Sequence, residues 1–130
     1  MTGLAYADAS ALVKLVVEEA ESASVFRWYV EVDRVVTSRI GVIETARASS
    51  RREHDAAYRQ RVLDGVEIVE LDVAIARAAE TLGPPALRTL DAIHLATALM
   101  LGAELDAFVT YDDRMADAAR AVGLPVVRPA

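Results

Sequence analysis

The sequence predicts an α/β fold in which a parallel sheet is covered by helices, and three observations support this class. Short apolar runs alternate along the chain with alanine-rich segments of helical periodicity, the order typical of strands joined by helices. No linker, internal repeat or low-complexity tract interrupts the 130 residues. A hydrophobic fraction of 54% is enough to bury a sizeable core. We therefore expect residues 1–130 to fold as a single domain.

The short apolar runs predict a sheet of four to five strands. In chain order these strands cover residues 4–7, 35–37, 66–71, 107–110 and, as a short last strand, 126–127. The segments between them have helical periodicity. They predict helices over residues 9–19, 21–32, 39–50, 55–63, 73–82, 90–101 and 113–122.

Apolar faces and helix-terminating residues support these boundaries. Leu12, Leu15 and Val16 fall on one face of the first helix. Residues that end a helix follow four of the segments: Gly65, the run Gly83-Pro84-Pro85, Gly102 and Gly123. Parallel sheets of this kind form their binding sites beyond the carboxyl ends of the strands, so the residues that follow each strand are the first candidates for chemistry.

The composition excludes several classes of protein. The formal net charge is −6, which argues against a protein that coats nucleic acid but not against a nuclease whose carboxylates hold divalent cations. The lack of cysteine excludes disulfides, thiolate zinc sites and a cysteine nucleophile. No apolar run approaches the roughly 20 residues that cross a bilayer, and the first residues do not form a signal peptide. We therefore expect a soluble, cytoplasmic protein.

Almost all basic residues are arginines, with Lys14 the only lysine. Six arginines fall in one stretch: Arg39, Arg47, Arg51, Arg52, Arg59 and Arg61. Against the acidic background of the chain, this stretch is a candidate contact for phosphate groups.

Four acidic positions fall where the predicted sheet brings them to one edge. Asp8 follows the first strand, and Asp112, with Asp113 beside it, follows the fourth. Glu44 lies about two turns into the third helix, and Asp91 opens the sixth. Taken singly, Asp8, Asp91 and Asp112 are each expected to cap a helix, because a carboxylate there accepts free backbone N–H groups.

Taken together, these acids predict a metal site. Carboxylates that converge in one cleft repel each other and raise each other's pKa, so a cation is needed to neutralise them. Ligands that are all oxygen suit a hard ion such as Mg²⁺ or Mn²⁺. A water bound to such an ion can attack a phosphorus atom while the ion stabilises the charge that builds on the phosphate.

Four motifs carry a resemblance to a known family, in the order and spacing of that family. They are YADASALVKL around Asp8, TSRIGVIETAR around Glu44, LRTLDAIHLATAL around Asp91 and FVTYDDRMADAARAVGLPVV around Asp112. The chain resembles PIN domains, and in particular the VapC-type toxins of bacterial toxin–antitoxin systems. The resemblance implies a three-layer α/β/α fold with a central, mostly parallel sheet. It also implies an endoribonuclease that depends on Mg²⁺, for which Mn²⁺ substitutes.

The resemblance also assigns roles to individual residues. It implies that an acidic quartet binds the metal and catalyses cleavage: Asp8, Glu44, Asp91 and Asp112. The hydroxyls of Ser10 and Thr110 are candidates to orient these carboxylates or metal-bound waters. The candidate RNA contacts are Arg39, Arg47 and Arg114. His94, one turn after Asp91, is interpreted as a structural or rim histidine.

The partners implied by the resemblance are an RNA substrate, a small antitoxin protein and a second copy of the chain. Residues 9–32 and 39–65 are the candidate contact surfaces, with the aromatic residues Phe26, Trp28 and Tyr29 among them. Three alternatives remain open at this point: a PIN nuclease of RNA processing that is not a toxin, a receiver-like signalling domain and a binding module without catalytic activity.

Overall fold

The computed structural model describes residues 3–130 and forms them around one five-stranded sheet in which every neighbouring pair of strands runs parallel. The strands are β1 (Leu4–Ala7), β2 (Arg34–Ser38), β3 (Glu67–Val69), β4 (Ala107–Val109) and β5 (Val126–Val127). Their order across the sheet is β3-β2-β1-β4-β5. The predicted parallel sheet of four to five strands is thus confirmed.

Seven α-helices cover this sheet within the described residues. They are α1 (Ala9–Val16), α2 (Ser22–Glu31), α3 (Arg39–Ser50), α4 (Ala56–Asp64), α5 (Val73–Thr81), α6 (Thr89–Met100) and α7 (Asp113–Ala121). A short 3-10 turn, Gly102–Glu104, precedes β4. Most predicted boundaries agree with the structure to within one residue.

Two predicted boundaries were wrong, each for a local reason. The first helix ends at Val16 rather than at residue 19, because Val17 is extended and the Ser22 hydroxyl donates to its carbonyl oxygen. The third strand ends at Val69 rather than at residue 71. Its partner β2 ends opposite Val69, at Ser38, and Ser38 already caps α3.

Alternate residues of β1 pack into two separate cores, one on each face of the sheet. Ala5 and Ala7 face a core that includes Leu12 of α1. Leu4 and Tyr6 face the opposite core, together with residues of α6 and α7. All four residues of β1 are buried, as expected for a central parallel strand covered on both faces. This arrangement confirms the three-layer α/β/α prediction.

The strand order creates a crevice at the carboxyl ends of β1 and β4. From β1 the chain builds outward through β2 to β3, and it later returns to place β4 and β5 on the other side of β1. In open parallel sheets, ligands bind where the strand order reverses in this way. Within residues 3–130, no helix is both long enough and apolar enough to span a membrane.

Candidate active site

Asp8 lies at the bottom of this crevice and is held there by hydrogen bonds. Its Oδ1 accepts from the Ser10 hydroxyl at 2.6 Å and from the Ala11 backbone N–H at 3.2 Å. Its Oδ2 accepts from the Thr110 hydroxyl at 2.5 Å. Only 2% of Asp8 is exposed, and this burial raises the pKa of its carboxyl group, while the bonds from Ser10 and Thr110 lower it. The side chain therefore has one fixed orientation.

Asp112 enters the same crevice from the end of β4. It is the N-cap of α7, and Oδ1 alone accepts from the backbone N–H groups of Arg114 and Met115. Its own N–H donates to the Thr110 hydroxyl oxygen at 3.1 Å, so the same threonine contacts both Asp8 and Asp112. Because the cap uses only Oδ1, Oδ2 is not part of it.

The neighbouring Asp113 has different surroundings. Its side chain is 88% exposed and pairs with Arg128 at 2.8 Å. The guanidinium of Arg128 is in turn anchored by donation to the Thr110 carbonyl oxygen. The surroundings of the two aspartates therefore favour Asp112 as the acid of the crevice and Asp113 as a surface ion pair.

Asp91 does not cap α6, contrary to the prediction for this residue taken singly. The helix begins two residues earlier, at Thr89, and Arg88 occupies the cap position without a side-chain hydrogen bond. Arg88 and the Asp91 carboxylate lie 4.0 Å apart. The pKa of Asp91 is raised, first by burial and then by the charge of Asp112, with a smaller contribution from Glu44. The expected mutual repulsion of the acids is thus present at Asp91, although burial is the larger cause.

Glu44 reaches the cluster from α3 and is bound by His94, a contact that the sequence analysis missed. The His94 Nε2 and the Glu44 Oε1 lie 2.6 Å apart. His94 is only 1% exposed, so it is a buried structural histidine rather than a rim residue. Its second nitrogen, Nδ1, lies 2.6 Å from the hydroxyl of Tyr6. A histidine on an otherwise apolar helix face was the available signal, because a buried imidazole needs polar partners.

We refer to Asp8, Glu44, Asp91 and Asp112 as the acidic cluster. Among residues 3–130, no three histidine, aspartate or glutamate side chains meet at the distances of a metal-ligand set. The individual acids are instead engaged by protein groups: Asp8 by two hydroxyls and Glu44 by His94. The donor chemistry still fits a hard divalent cation, because every acid offers carboxylate oxygen and the raised pKa values mark negative charge without full compensation.

Two clefts border the acidic cluster, one lined by Glu44 and the other by Asp91. The α3-side cleft, of about 650 Å³, runs between α1 and α3 and includes Ser10, Glu44 and Arg47 in its lining. The α7-side cleft, of about 600 Å³, runs between α6 and α7 and includes Asp91 and Arg114. Each cleft also has further basic residues: Lys14 and Arg51 in the first and Arg88 in the second.

The predicted RNA contacts therefore differ in their surroundings. Arg47 and Arg114 are exposed and line the two clefts. Arg39 instead forms a two-point ion pair with Glu70, through Nε and Nη2. A polyanion that reached Arg39 would have to compete with this carboxylate.

This geometry suits the hydrolysis of an extended phosphodiester. One acid of the cluster lines each cleft, Glu44 the first and Asp91 the second, and cationic side chains lie in both clefts. Such an arrangement allows a divalent ion at the centre and phosphate contacts at flanking positions of a chain.

Comparison with known proteins identifies a family and several relatives. A family model described as PIN domain matches residues 5–121. Ribonuclease VapC47 of Mycobacterium tuberculosis (strain CDC 1551 / Oshkosh) is 38% identical over 130 residues, covering 95% of this chain and 96% of the relative. Ribonuclease VapC46 of Mycobacterium tuberculosis (strain ATCC 25618 / H37Rv) is 41% identical over 125 residues, with the same coverage of 95% and 96%.

Two solved structures share the fold at low sequence identity. The crystal structure of Mycobacterium tuberculosis VapC20, described as a toxin that cleaves the sarcin–ricin loop, superposes with a TM-score of 0.73 at 18% identity. The match covers 96% of this chain and 99% of the VapC20 chain. The structure of FitAB bound to an IR36 DNA fragment superposes with a TM-score of 0.62 at 17% identity. That match covers 96% of this chain and 94% of the matched chain. At these identities the two structures support the fold alone.

Proposed function

This chain belongs to the PIN domain family, and we propose that it is a divalent-metal-dependent endoribonuclease of the VapC type, the toxin of a toxin–antitoxin pair. The ribonuclease activity follows from relatives that are named ribonucleases and that align over nearly the whole chain. We take residues 1–130 as one PIN domain and propose that it acts in the cytoplasm, where RNA substrates are found. A receiver-like domain is excluded by the family match.

The observation that carries the metal dependence is the crowding of carboxylates at the crevice. The pKa of Asp91 is raised by burial and by the charges of Asp112 and Glu44, and that of Asp8 is raised by burial. Each raised pKa means that ionisation is unfavourable there without a compensating positive charge. We propose that the acidic cluster holds Mg²⁺, with Mn²⁺ as a substitute.

The protein groups fix the positions of these ligands before any ion binds. Asp8 is held by Ser10 and Thr110, so its oxygens have little freedom, and Asp112 is held by the cap of α7. When bound, Mg²⁺ would supply charge neutralisation at the scissile phosphate and a water of lowered pKa for attack on phosphorus. Asp8 and Asp91 are the proposed direct ligands. Glu44 and Asp112 would bind the ion directly, bind it through water, or orient the attacking water.

We propose that RNA runs from the α3-side cleft across the acidic cluster into the α7-side cleft. Arg47 and Arg114 would then contact phosphates on either side of the scissile bond. Although the chain has a net charge of −6, Arg47, Arg51 and Arg114 line the clefts and form no ion pair with the described residues, so their guanidinium groups are available for phosphates. Arg39 would have to exchange Glu70 for phosphate, so we expect it to contribute less than Arg47.

An antitoxin partner is proposed on the surface of α1 to α4. Two apolar residues of α2 point to this surface, since Phe26 is 50% and Val30 62% exposed. The α3-side cleft leads from there to Glu44, which gives an extended antitoxin segment a route to the acidic cluster. We also propose a homodimer. Light scattering of the free chain and of the chain co-expressed with its antitoxin would measure both assemblies.

Expression under tight repression tests the proposed function. We expect induction of the parent chain to arrest growth and to yield discrete RNA fragments, which also identify the class of RNA that is cleaved. Asp8→Asn should do neither, and we expect it to keep the fold, because asparagine is as good an N-cap as aspartate. Circular dichroism of the purified variant checks that retention.

The alternatives give different results in the same experiment. RNA cleavage without growth arrest would indicate a PIN nuclease of RNA processing. A parent chain that neither cleaves RNA nor binds Mn²⁺ in calorimetry would be a binding module, and the enzymatic proposal would be wrong.

A further inference from the structure

His94 connects three elements of the site through its two ring nitrogens. It lies on α6, one turn after Asp91, and contacts Tyr6 of β1 through Nδ1 and Glu44 of α3 through Nε2. Both of these distances are 2.6 Å. The ring is buried, whereas the Glu44 side chain is 30% exposed at the crevice. The imidazole thus lies between the core of the protein and the acidic cluster.

The Glu44 carboxylate determines which nitrogen of His94 carries the proton toward it. A carboxylate oxygen accepts hydrogen bonds, so Nε2, 2.6 Å from Oε1 of Glu44, is assigned as the nitrogen that bears hydrogen and donates. In this tautomer Nδ1 accepts, and the Tyr6 hydroxyl donates to it at 2.6 Å. The Tyr6 oxygen also accepts from the Ser38 backbone N–H at 3.2 Å.

Packing leaves the Tyr6 and His94 rings little room to move. Tyr6 stacks on Phe108, with ring centroids 5.2 Å apart and planes 5° from parallel. On the other side, α3 approaches closely at Gly41, where an added Cβ would lie 3.3 Å from Cε1 of His94 and 2.3 Å from the Thr37 hydroxyl oxygen. A glycine at this position lets the helix that carries Glu44 lie against the imidazole.

We propose that Tyr6 and His94 form a positioning pair for Glu44, in which the donated Nε2–H holds the carboxylate at the acidic cluster in the orientation that the metal site requires. The inference rests on the proposed function, because it assigns to Glu44 a partner that the metal site depends on. Groups that hold a metal-binding carboxylate in this way typically change metal affinity by about 10- to 100-fold when removed. His94 touches neither RNA nor metal in this scheme and acts through Glu44 alone.

Two amide substitutions of His94 separate its two hydrogen bonds. In His94→Gln, the longer side chain can place an amide N–H near the position of Nε2, so donation to Glu44 is retained. In His94→Asn, the shorter side chain can accept from Tyr6 near the position of Nδ1 but does not reach Glu44. Thr97→Val is the matched control, since Thr97 is also buried on α6 but its hydroxyl donates only to the Ile93 carbonyl oxygen.

The primary measurement is the affinity of each purified protein for Mn²⁺ by titration calorimetry, with circular dichroism as the check on folding. We expect His94→Asn to weaken Mn²⁺ binding by about 10- to 100-fold, His94→Gln to restore most of it, and Thr97→Val to match the parent. In a Glu44→Gln background, His94→Asn should add less than about threefold, because the partner through which it acts is already changed.

Several results would overturn the inference. Parental Mn²⁺ affinity in His94→Asn, equal losses in His94→Asn and His94→Gln, or an undiminished loss in the Glu44→Gln background would each show that His94 does not act by donating to Glu44. If His94→Asn fails to fold, the comparison of His94→Gln with Thr97→Val still decides, since a loss in His94→Gln alone contradicts the proposed donation. A parent chain that binds no Mn²⁺ would instead overturn the proposed function, and the inference with it.

Discussion

Asp8 and Asp112 differ from Glu44 and Asp91 in how the chain holds them. The first two follow neighbouring parallel strands, and each caps the helix that begins there. The other two lie within helices, and their partners, His94 and Arg88, are side chains rather than backbone groups. The acidic cluster therefore combines two carboxylates fixed by the start of a helix with two that depend on side-chain partners.

This difference shows that the capping and catalytic interpretations of a strand-end aspartate are compatible. In Asp112, one oxygen accepts two backbone N–H groups, and the cap leaves the other oxygen unused. A helix start thus fixes the carboxylate in place, and its position follows from the fold itself. At Glu44 and Asp91, by contrast, side chains contact the carboxylate, His94 across the packing of two helices and Arg88 from three residues away.

The largest effect that tests this comparison is expected at Asp112. Asp112→Asn keeps the cap, because asparagine caps helices as well as aspartate, but it removes a negative charge from the cluster. We expect RNA cleavage to fall by at least about 10²–10³-fold, the usual cost of losing one group that acts on the charge of the transition state. The measurement is the cleavage rate at fixed Mg²⁺ concentration on the RNA identified by induced expression.

Asp113→Asn is the matched control, because the adjacent Asp113 is exposed and pairs with Arg128 outside the cluster. We expect it to cleave at nearly the parental rate. If Asp113→Asn loses as much activity as Asp112→Asn, the assignment of Asp112 to the cluster is wrong, and negative charge at the start of α7 is what the reaction needs.

Much of the fold was predictable because its determinants are local. The buried run of β1 and the glycines that end α4, α6 and α7 define elements that need no knowledge of distant residues. The errors arose where a contact with another segment sets the boundary of an element. β3 ends opposite the last residue of β2, and α1 ends where the Ser22 hydroxyl donates to the Val17 carbonyl oxygen. Both depend on contacts that sequence periodicity does not encode.

The places of the four acids in the fold were predictable from the sequence, but their contacts were not. The rule that sites lie beyond strand carboxyl ends predicted Asp8 and Asp112, the predicted helices added Glu44 and Asp91, and the family motifs assigned roles to all four. The expected cap at Asp91 was wrong because α6 begins two residues earlier than its first acid. The bond between His94 and Glu44 joins residues 50 positions apart on different helices, and only the packing of α3 against α6 brings them together.

A smaller effect is expected from the hydroxyl that Asp8 and Asp112 share. Thr110→Val removes the donor to Asp8 Oδ2 and the acceptor for the Asp112 N–H while keeping a similar shape. Without that donor, the pKa of Asp8 should rise further, since the bond from Thr110 lowers it at present. We expect Mn²⁺ affinity near neutral pH to fall by about 10- to 100-fold in calorimetry. Unchanged affinity would mean that the Ser10 hydroxyl and the Ala11 N–H are sufficient to hold Asp8.

The smallest expected effect is on the free energy of unfolding, and it distinguishes Asp91 from the two aspartates that cap helices, Asp8 and Asp112. The pKa of Asp91 is raised above its ordinary value of 3.8, so the folded chain binds this proton more tightly than the unfolded chain does. The contribution of this group to stability is therefore fully present below pH 3.8 and is lost as the pH rises through the raised pKa of the folded state. In Asp91→Asn the amide does not ionise, so this loss of stability with rising pH does not occur. In metal-free protein at pH 7, we expect it to raise the free energy of unfolding by no more than about 1 kcal/mol, because Asp91 is partly exposed and solvent screens its charge.

Urea unfolding in the presence of a chelator, at several pH values from 7 down to 4, measures this difference. The gain of Asp91→Asn over the parent should be largest at pH 7 and should shrink as the pH falls, because protonation of Asp91 then neutralises the parent as well. Asp117→Asn is the control, since Asp117 also forms an i,i+3 pair with an arginine, but on the exposed surface of α7. A pH-independent gain, or an equal gain in Asp117→Asn, would mean that the crowding of carboxylates does not destabilise the metal-free fold. In that case Asp91 would be as well accommodated without metal as the aspartates that cap helices.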